Sequence, residues 1–114
     1  MKRAIISILA LTVLCSCTSM ATRIKQENYA YWPAHIQQAV DNGMIIPGMN
    51  KLQVLAVTDV PEVLVQKRTQ FIEDKILETW ILYKSIGGYF YANPGFAKIV
   101  IINFRGGIVD SVSF

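Results

Sequence analysis

The chain has 114 residues, enough for one domain, and 53% of them are hydrophobic, which is compatible with a packed core. Its net charge is +3, and Lys2 and Arg3 supply two of those charges. The remainder is close to neutral, which argues against a nucleic-acid-binding protein and leaves no polybasic segment to hold an anionic membrane.

Residues 1–16 have the pattern of a signal peptide. Lys2 and Arg3 precede an uncharged apolar run at residues 4–14. A transmembrane helix needs about 20 apolar residues, so this run is too short to span a bilayer. Its length and its basic flank are those of a secretory signal that is removed after export.

Two cleavage sites follow the apolar run, and the sequence leaves both open. Residues 14–17 (Leu-Cys-Ser-Cys) resemble the lipobox of bacterial lipoproteins. This resemblance implies cleavage after Ser16 and acylation of Cys17, which would provide the membrane anchor. The alternative is residues 19–21 (Ser-Met-Ala), a small-x-small site that ordinary signal peptidase would cut after Ala21.

Both cysteines, Cys15 and Cys17, lie at this boundary. A lipidated mature chain would therefore have neither a free thiol nor a disulfide and would depend on its core for stability. Residues 18–30 are polar and show no apolar period, so they are predicted to be a flexible tether. The predicted organisation is a signal peptide at 1–16, a lipidated cysteine and tether at 17–31, and a folded domain at 32–114.

Two short helices are predicted at the start of this domain. The first covers residues 33–42, where Pro33 suits a first helical position and Gly43 is a typical stop. Its apolar residues share one face: Ile36, Ala39 and Val40. The second helix covers residues 51–58, and Asn50 is a suitable N-cap for it.

The second half of the chain predicts strands. Residues 62–75 are compatible with a loop, a helix or a strand. Residues 78–84 and 96–104 are rich in residues that favour strands, and a hairpin turn at Gly106 and Gly107 leads into a returning strand at 108–114. The aromatic run at residues 89–91 is predicted to be a flexible loop. The fold class is therefore α+β, with two short N-terminal helices packed on a three-stranded antiparallel β-meander.

Residues 48–54 (Gly-Met-Asn-Lys-Leu-Gln-Val), followed by Pro61, resemble the SmpA/OmlA (BamE-like) family of small outer-membrane lipoproteins. The glycine, methionine, glutamine, valine and proline of the family motif keep their spacing, and Asn50 replaces a threonine cap. Residues 80–83, 100–104 and 107–109 continue the likeness. Thr58 and Asp59 depart from the Leu-Gly of the family at the end of the second helix.

This resemblance implies a lipoprotein of the bacterial cell envelope that is anchored in the outer membrane and faces the periplasm. Its implied role is interaction or scaffolding, as an accessory of outer-membrane protein assembly or envelope integrity, with an envelope protein complex as partner. The alternative is a periplasmic inhibitor or immunity-type protein on the same scaffold.

The residues offer little for catalysis. His35 is the only histidine, the cysteines lie at the signal boundary, and Glu73 and Asp74 are adjacent, so their side chains diverge. We therefore expect no enzyme activity, no cofactor, no metal, no nucleic acid and no small-molecule substrate.

The apolar strand at residues 96–104 suggests an interaction surface, because a half-solvated strand should alternate apolar and polar residues. With a two-residue loop at Gly106 and Gly107, Ile99 would pair with Phe114 and Ile101 with Val112. We expect Ile99 and Ile101 to face the helices. The opposite face would carry Val100, Ile102 and Phe104, and it is either covered by another segment or exposed. If it is exposed, the hypothesis is a partner-binding surface formed by Tyr83, Tyr89, Phe90, Tyr91, Ile102 and Phe104.

Overall fold

The computed structural model describes residues 19–114, which form an α+β domain of helices on an antiparallel sheet. The signal pattern and both cysteines lie outside the described residues. The α+β class is confirmed, but this part of the chain has three helices and five strands instead of two and three. The helices are α1 (Met20–Asn28), α2 (Ala34–Asp41) and α3 (Lys51–Thr58), and the strands are β1 (Gln66–Ile72), β2 (Lys75–Ser85), β3 (Gly88–Phe90), β4 (Lys98–Arg105) and β5 (Ile108–Ser113).

Helix α1 occupies most of the segment that was predicted to be a flexible tether, so that prediction is wrong for residues 20–28. The Ser19 side chain caps the helix by accepting a hydrogen bond from the Thr22 N–H at 3.2 Å. Ala21 and Ile24 are buried, and α1 packs against α3. The Ala21 N–H also donates to the Asp59 carboxylate at 2.9 Å, which ties the start of α1 to the end of α3.

Helices α2 and α3 begin and end close to the predicted residues. After α2, Gly43 has a φ of 67°, and the amides of Gly43 and Met44 bond back to the carbonyls of Val40 and Ala39, a pattern that satisfies the last turn. At the start of α3, Asn50 and Gln53 form a capping box: each side chain accepts from the backbone N–H of the other.

The sheet has the order β1-β2-β4-β5, and the short strand β3 pairs with β2 beyond the end of β1. Of the structures left open for residues 62–75, the strand is the one that forms, preceded by a 3₁₀ turn at Glu62–Leu64. Most of the predicted aromatic loop is also a strand, because Tyr89 and Phe90 pair with Lys84 and Tyr83.

The predicted hairpin at Gly106 and Gly107 is confirmed, and both glycines have positive φ as a tight two-residue turn requires. The pairing becomes irregular after this turn. Phe104 pairs with Val109 and Asn103 pairs with Ser111, so β5 has one extra residue, Asp110, between the two pairs. This bulge brings both Val109 and Val112 to the helix face. The strand pairing expected from a regular hairpin, Ile101 with Val112, is therefore wrong, and Ile101 pairs with Ser113.

The helices cover one face of the sheet, and the core lies between the two layers. Trp80 and Leu82 of β2 and Val100, Ile102 and Phe104 of β4 are all buried in this core. Trp80 and Phe104 are in contact, with ring centroids 4.7 Å apart. The prediction that Ile99 and Ile101 face the helices is wrong, because the even-numbered residues of β4 occupy the helix side.

A charged pair joins α3 to the same face of the sheet. Lys51 makes a salt bridge with Glu78 of β2, whose side chain is 13% exposed. Burial of this carboxyl favours its neutral form, but Lys51, the nearby Trp80 indole N–H and the charge of Lys67 outweigh that effect. The pKa of Glu78 is therefore lower than its usual value.

We expect this pair to make stability depend on pH. Because the pKa of Glu78 is lower in the folded than in the unfolded chain, its stabilising contribution is present above the unfolded pKa and is lost as the pH falls through the folded pKa. Glu78→Gln should lower the free energy of unfolding at neutral pH by about 1 kcal/mol, and this difference should disappear in acid. Urea unfolding of the wild type and the variant, at neutral pH and in acid, measures this difference. The control is Glu62→Gln, which removes the carboxylate of the more exposed pair with Lys67. An equal effect of both variants would contradict the assignment.

Candidate interaction surface

The face of the sheet turned away from the helices carries a cluster of apolar side chains, which we call the outer stripe: Ile81, Tyr83, Phe90, Ile99 and Ile101. These residues are brought together by strand pairing: Ile81 lies opposite Ile101, and Tyr83 lies opposite Ile99 on one side and Phe90 on the other. Side chains at opposed positions on one face are near neighbours. The outer stripe is therefore a continuous surface formed by β2, β3 and β4.

No helix of residues 19–114 packs on the outer stripe, since every sheet residue of the core cluster belongs to the opposite face. Ile99 is 52% exposed, and the other members are partly exposed. A sheet with one free face normally alternates apolar and polar residues. An apolar free face is instead typical of a surface that meets another molecule.

Polar side chains border the outer stripe on the same face. Thr79 Oγ1 donates to Asn103 Oδ1 at 3.0 Å, and Asn103 Nδ2 donates to Ser111 Oγ at 3.0 Å. This row crosses three strands next to Ile81 and Ile101 and satisfies its own hydrogen bonds. An apolar centre with a polar border is the usual anatomy of a protein–protein interface.

Two residues of the predicted partner-binding surface do not lie on any surface. Ile102 is fully buried and Phe104 is 1% exposed, and both pack under the helices. Their place in the hypothesis is wrong because the helices cover the even-numbered positions of β4. Sequence reasoning assigned the two faces of this strand in reverse.

The other four residues of the hypothesis, all aromatic, lie in three different environments. Tyr83 and Phe90 lie opposite each other on the outer stripe. Tyr89 points to the helix side, where its hydroxyl donates to the Gly43 carbonyl at 2.9 Å and fixes the loop after α2. Tyr91 follows the end of β3 and is 51% exposed.

Sequence reasoning missed Ile81, Ile99 and Ile101 as surface residues. The signal that identifies them is the alternation in β2, where Trp80 and Leu82 must share a face and leave Ile81 and Tyr83 on the other. Because Trp80 pairs with Ile102 and Ile81 pairs with Ile101, the pairing of β2 with β4 then decides which residues of β4 face the helices. The largest residue, Trp80, is the one that a core would bury first.

The described residues contain no group of three or more His, Cys, Asp or Glu side chains that could hold a metal ion. His35 is exposed on α2, and Glu73 and Asp74 form the left-handed turn between β1 and β2. None of the described helices is long and apolar enough to cross a membrane.

No protein-family model, curated protein or solved structure matches the chain.

Two phenylalanine variants test whether Phe104 of β4 lies in the core. Phe104→Ala should lower the free energy of unfolding by about 3–5 kcal/mol, because it removes a buried ring and leaves a cavity. Phe96→Ala is the matched control, since Phe96 is 82% exposed, and it should cost less than about 0.5 kcal/mol. Urea unfolding of both variants gives the comparison. Similar losses would show that Phe104 is not in the core.

Proposed function

We propose that this protein is a lipid-anchored interaction protein of the bacterial cell envelope, which holds a protein partner on the outer stripe. Cys17 would carry the acyl anchor in the outer membrane, and the domain would face the periplasm. Its role would be that of an accessory to outer-membrane protein assembly or to envelope integrity. The observation that carries the binding role is the apolar sheet face on which no described helix packs.

The position of α1 supports the lipobox over the alternative cleavage site. Cleavage after Ala21 would remove the Ser19 cap and the Ala21 N–H that bonds to Asp59. Cleavage after Ser16 would leave α1 whole. The contacts that hold α1 therefore support cleavage at the lipobox.

The resemblance to the SmpA/OmlA family supports the envelope assignment, and its motif has a clear structural role in this chain. Gly48 has a φ of 96°, which favours glycine, and its N–H bonds to the Val109 carbonyl. Asn50 and Gln53 are the two members of the capping box. The motif thus joins the start of α3 to strand β5.

The anchor can be tested by mass spectrometry of the protein from membranes of an expressing Gram-negative bacterium. We expect a mature N-terminus at Cys17 that carries acyl chains. Cys17→Ser should prevent both the modification and the membrane association, whereas Cys15→Ser should leave them intact. An unmodified chain that starts at Thr22 in the soluble periplasm would contradict the anchor.

The outer stripe can be tested by cross-linking and purification from membranes. Ile99→Lys places a charge in the middle of the stripe at a residue that is half exposed, so we expect the thermal unfolding midpoint to change little. Loss of an interface contact of ordinary strength should reduce recovery of the partner by about tenfold. Val63→Lys is the control, because Val63 is 88% exposed and lies outside the sheet.

The identity of the recovered protein separates the two functional classes. An envelope membrane complex that is lost with Ile99→Lys and kept with Val63→Lys would support the proposal. A soluble periplasmic enzyme recovered instead would favour the inhibitor or immunity-type function. Equal recovery with both variants would exclude the outer stripe as the docking face.

A further inference from the structure

A groove of about 630 Å³ lies at one end of the sheet, where β2 ends, β4 begins and β5 ends. We call it the end groove. Its volume is within the usual range for small-molecule sites. The residues that matter for its chemistry are Lys84, Ile86, Phe96, Lys98 and Phe114. The groove is separate from the outer stripe, since Lys84 and Lys98 belong to the helix side of their strands.

The first unusual feature of the end groove is a pair of like charges. Lys84 and Lys98 are direct cross-strand partners on β2 and β4. Like charges at opposed positions destabilise a sheet. Within residues 19–114, neither lysine forms a salt bridge with a side chain or with the terminal carboxylate of Phe114, and no Asp or Glu lines the groove. The Lys84 ammonium also lies over the Tyr89 ring, 5.2 Å from its centre, on the β3 side of β2.

The second feature is the exposure of the apolar side chains around the two lysines. Ile86 is completely exposed, Phe96 is 82% exposed and Phe114 is 71% exposed. They come from three different segments: the turn after β2, the connection before β4 and the end of β5. Their convergence on one groove gives it an exposed apolar lining, which an apolar ligand would bury.

From these two features we propose that the end groove binds a free, single-chain anionic amphiphile, such as a fatty acid. Its carboxylate lies between the ammonium groups of Lys84 and Lys98 and accepts hydrogen bonds from both, which removes their mutual repulsion. Its apolar chain lies along Ile86, Phe96 and Phe114. One head group can reach both lysines because they occupy the same register position.

The shape of the site favours a single free molecule over a lipid bilayer. The groove is small, and its two lysines are direct cross-strand partners, so their charges can meet one head group instead of spreading over a surface. This inference is independent of the protein partner on the outer stripe. A failure of either proposal leaves the other unaffected, because the two use different residues.

Decanoate is the probe for this site, and 1-decanol is its uncharged control. The full chain, labelled with ¹⁵N, is titrated with each compound and followed by the backbone amide signals. We expect decanoate to shift the signals of residues 84–87 and 96–98 and that of Phe114, with saturation. We expect 1-decanol to bind about tenfold more weakly, because it offers no charge to the lysines.

Charge variants separate the proposed site from general attraction to a basic protein. Lys84→Gln/Lys98→Gln should weaken decanoate binding by about tenfold. Lys75→Gln/Arg105→Gln removes the same charge at the opposite end of β2 and should leave binding unchanged. The exposed variant Ile86→Ser should also weaken binding without lowering the thermal unfolding midpoint.

Three outcomes would overturn the proposal. The first is the absence of saturable shifts at the end groove with decanoate. The second is an equal effect of the two charge variants, which would show that binding depends on net charge alone. The third is a set of groove shifts that arises with anionic phospholipid vesicles and not with decanoate, which would make the ligand a membrane surface.

Discussion

The antiparallel pairing of β2 with β4 is the constraint on which the rest of this structure depends. Successive side chains of a strand point to opposite faces, so one register decides which residues form the core. The buried contact between Trp80 and Phe104 fixes that register at the centre of the helix-covered face. A shift of one residue would bury Ile99 and Ile101 and expose Ile102 and Phe104. The same register therefore places the alternate residues of β2 and β4 on the face away from the helices, where they form the outer stripe.

Local signals in the sequence predicted much of the fold because their physics is local. The cap at Asn50, the glycine after α2 and the turn at Gly106 and Gly107 each act within a few residues, and each is confirmed. The strands at β2, β4 and β5 followed from residue preference and turn spacing. Local patterns do not predict strand β1, because its residues are all exposed at the edge of the sheet and show no clear alternation.

The two main failures both involve contacts between distant parts of the chain. Helix α1 has only a narrow apolar face with Ala21 and Ile24 buried, and it is held by α3, about 38 residues further along the chain. The face of β4 could not be read from β4 alone, because its residues are apolar on both sides. The side of β4 that faces the helices depends on its pairing with β2. A bulge in β5 then shifts the pairing of β4 with β5 by one residue. Three residues of the hypothesis, Ile102, Phe104 and Tyr89, therefore lie on the helix side of the sheet. Tyr83 and Phe90 lie on the outer stripe.

The structure also changes how the proposed anchor would act. A tether of thirteen residues would have allowed the domain to turn freely above the membrane. Because α1 begins at Met20, only Thr18 and Ser19 lie between Cys17 and the helix. Two residues extend over about 7 Å at most. A lipid on Cys17 would thus hold the helical layer close to the membrane and limit the orientations in which the outer stripe can meet a partner. With such an anchor, the outer stripe would therefore face a smaller range of directions than a flexible tether allows.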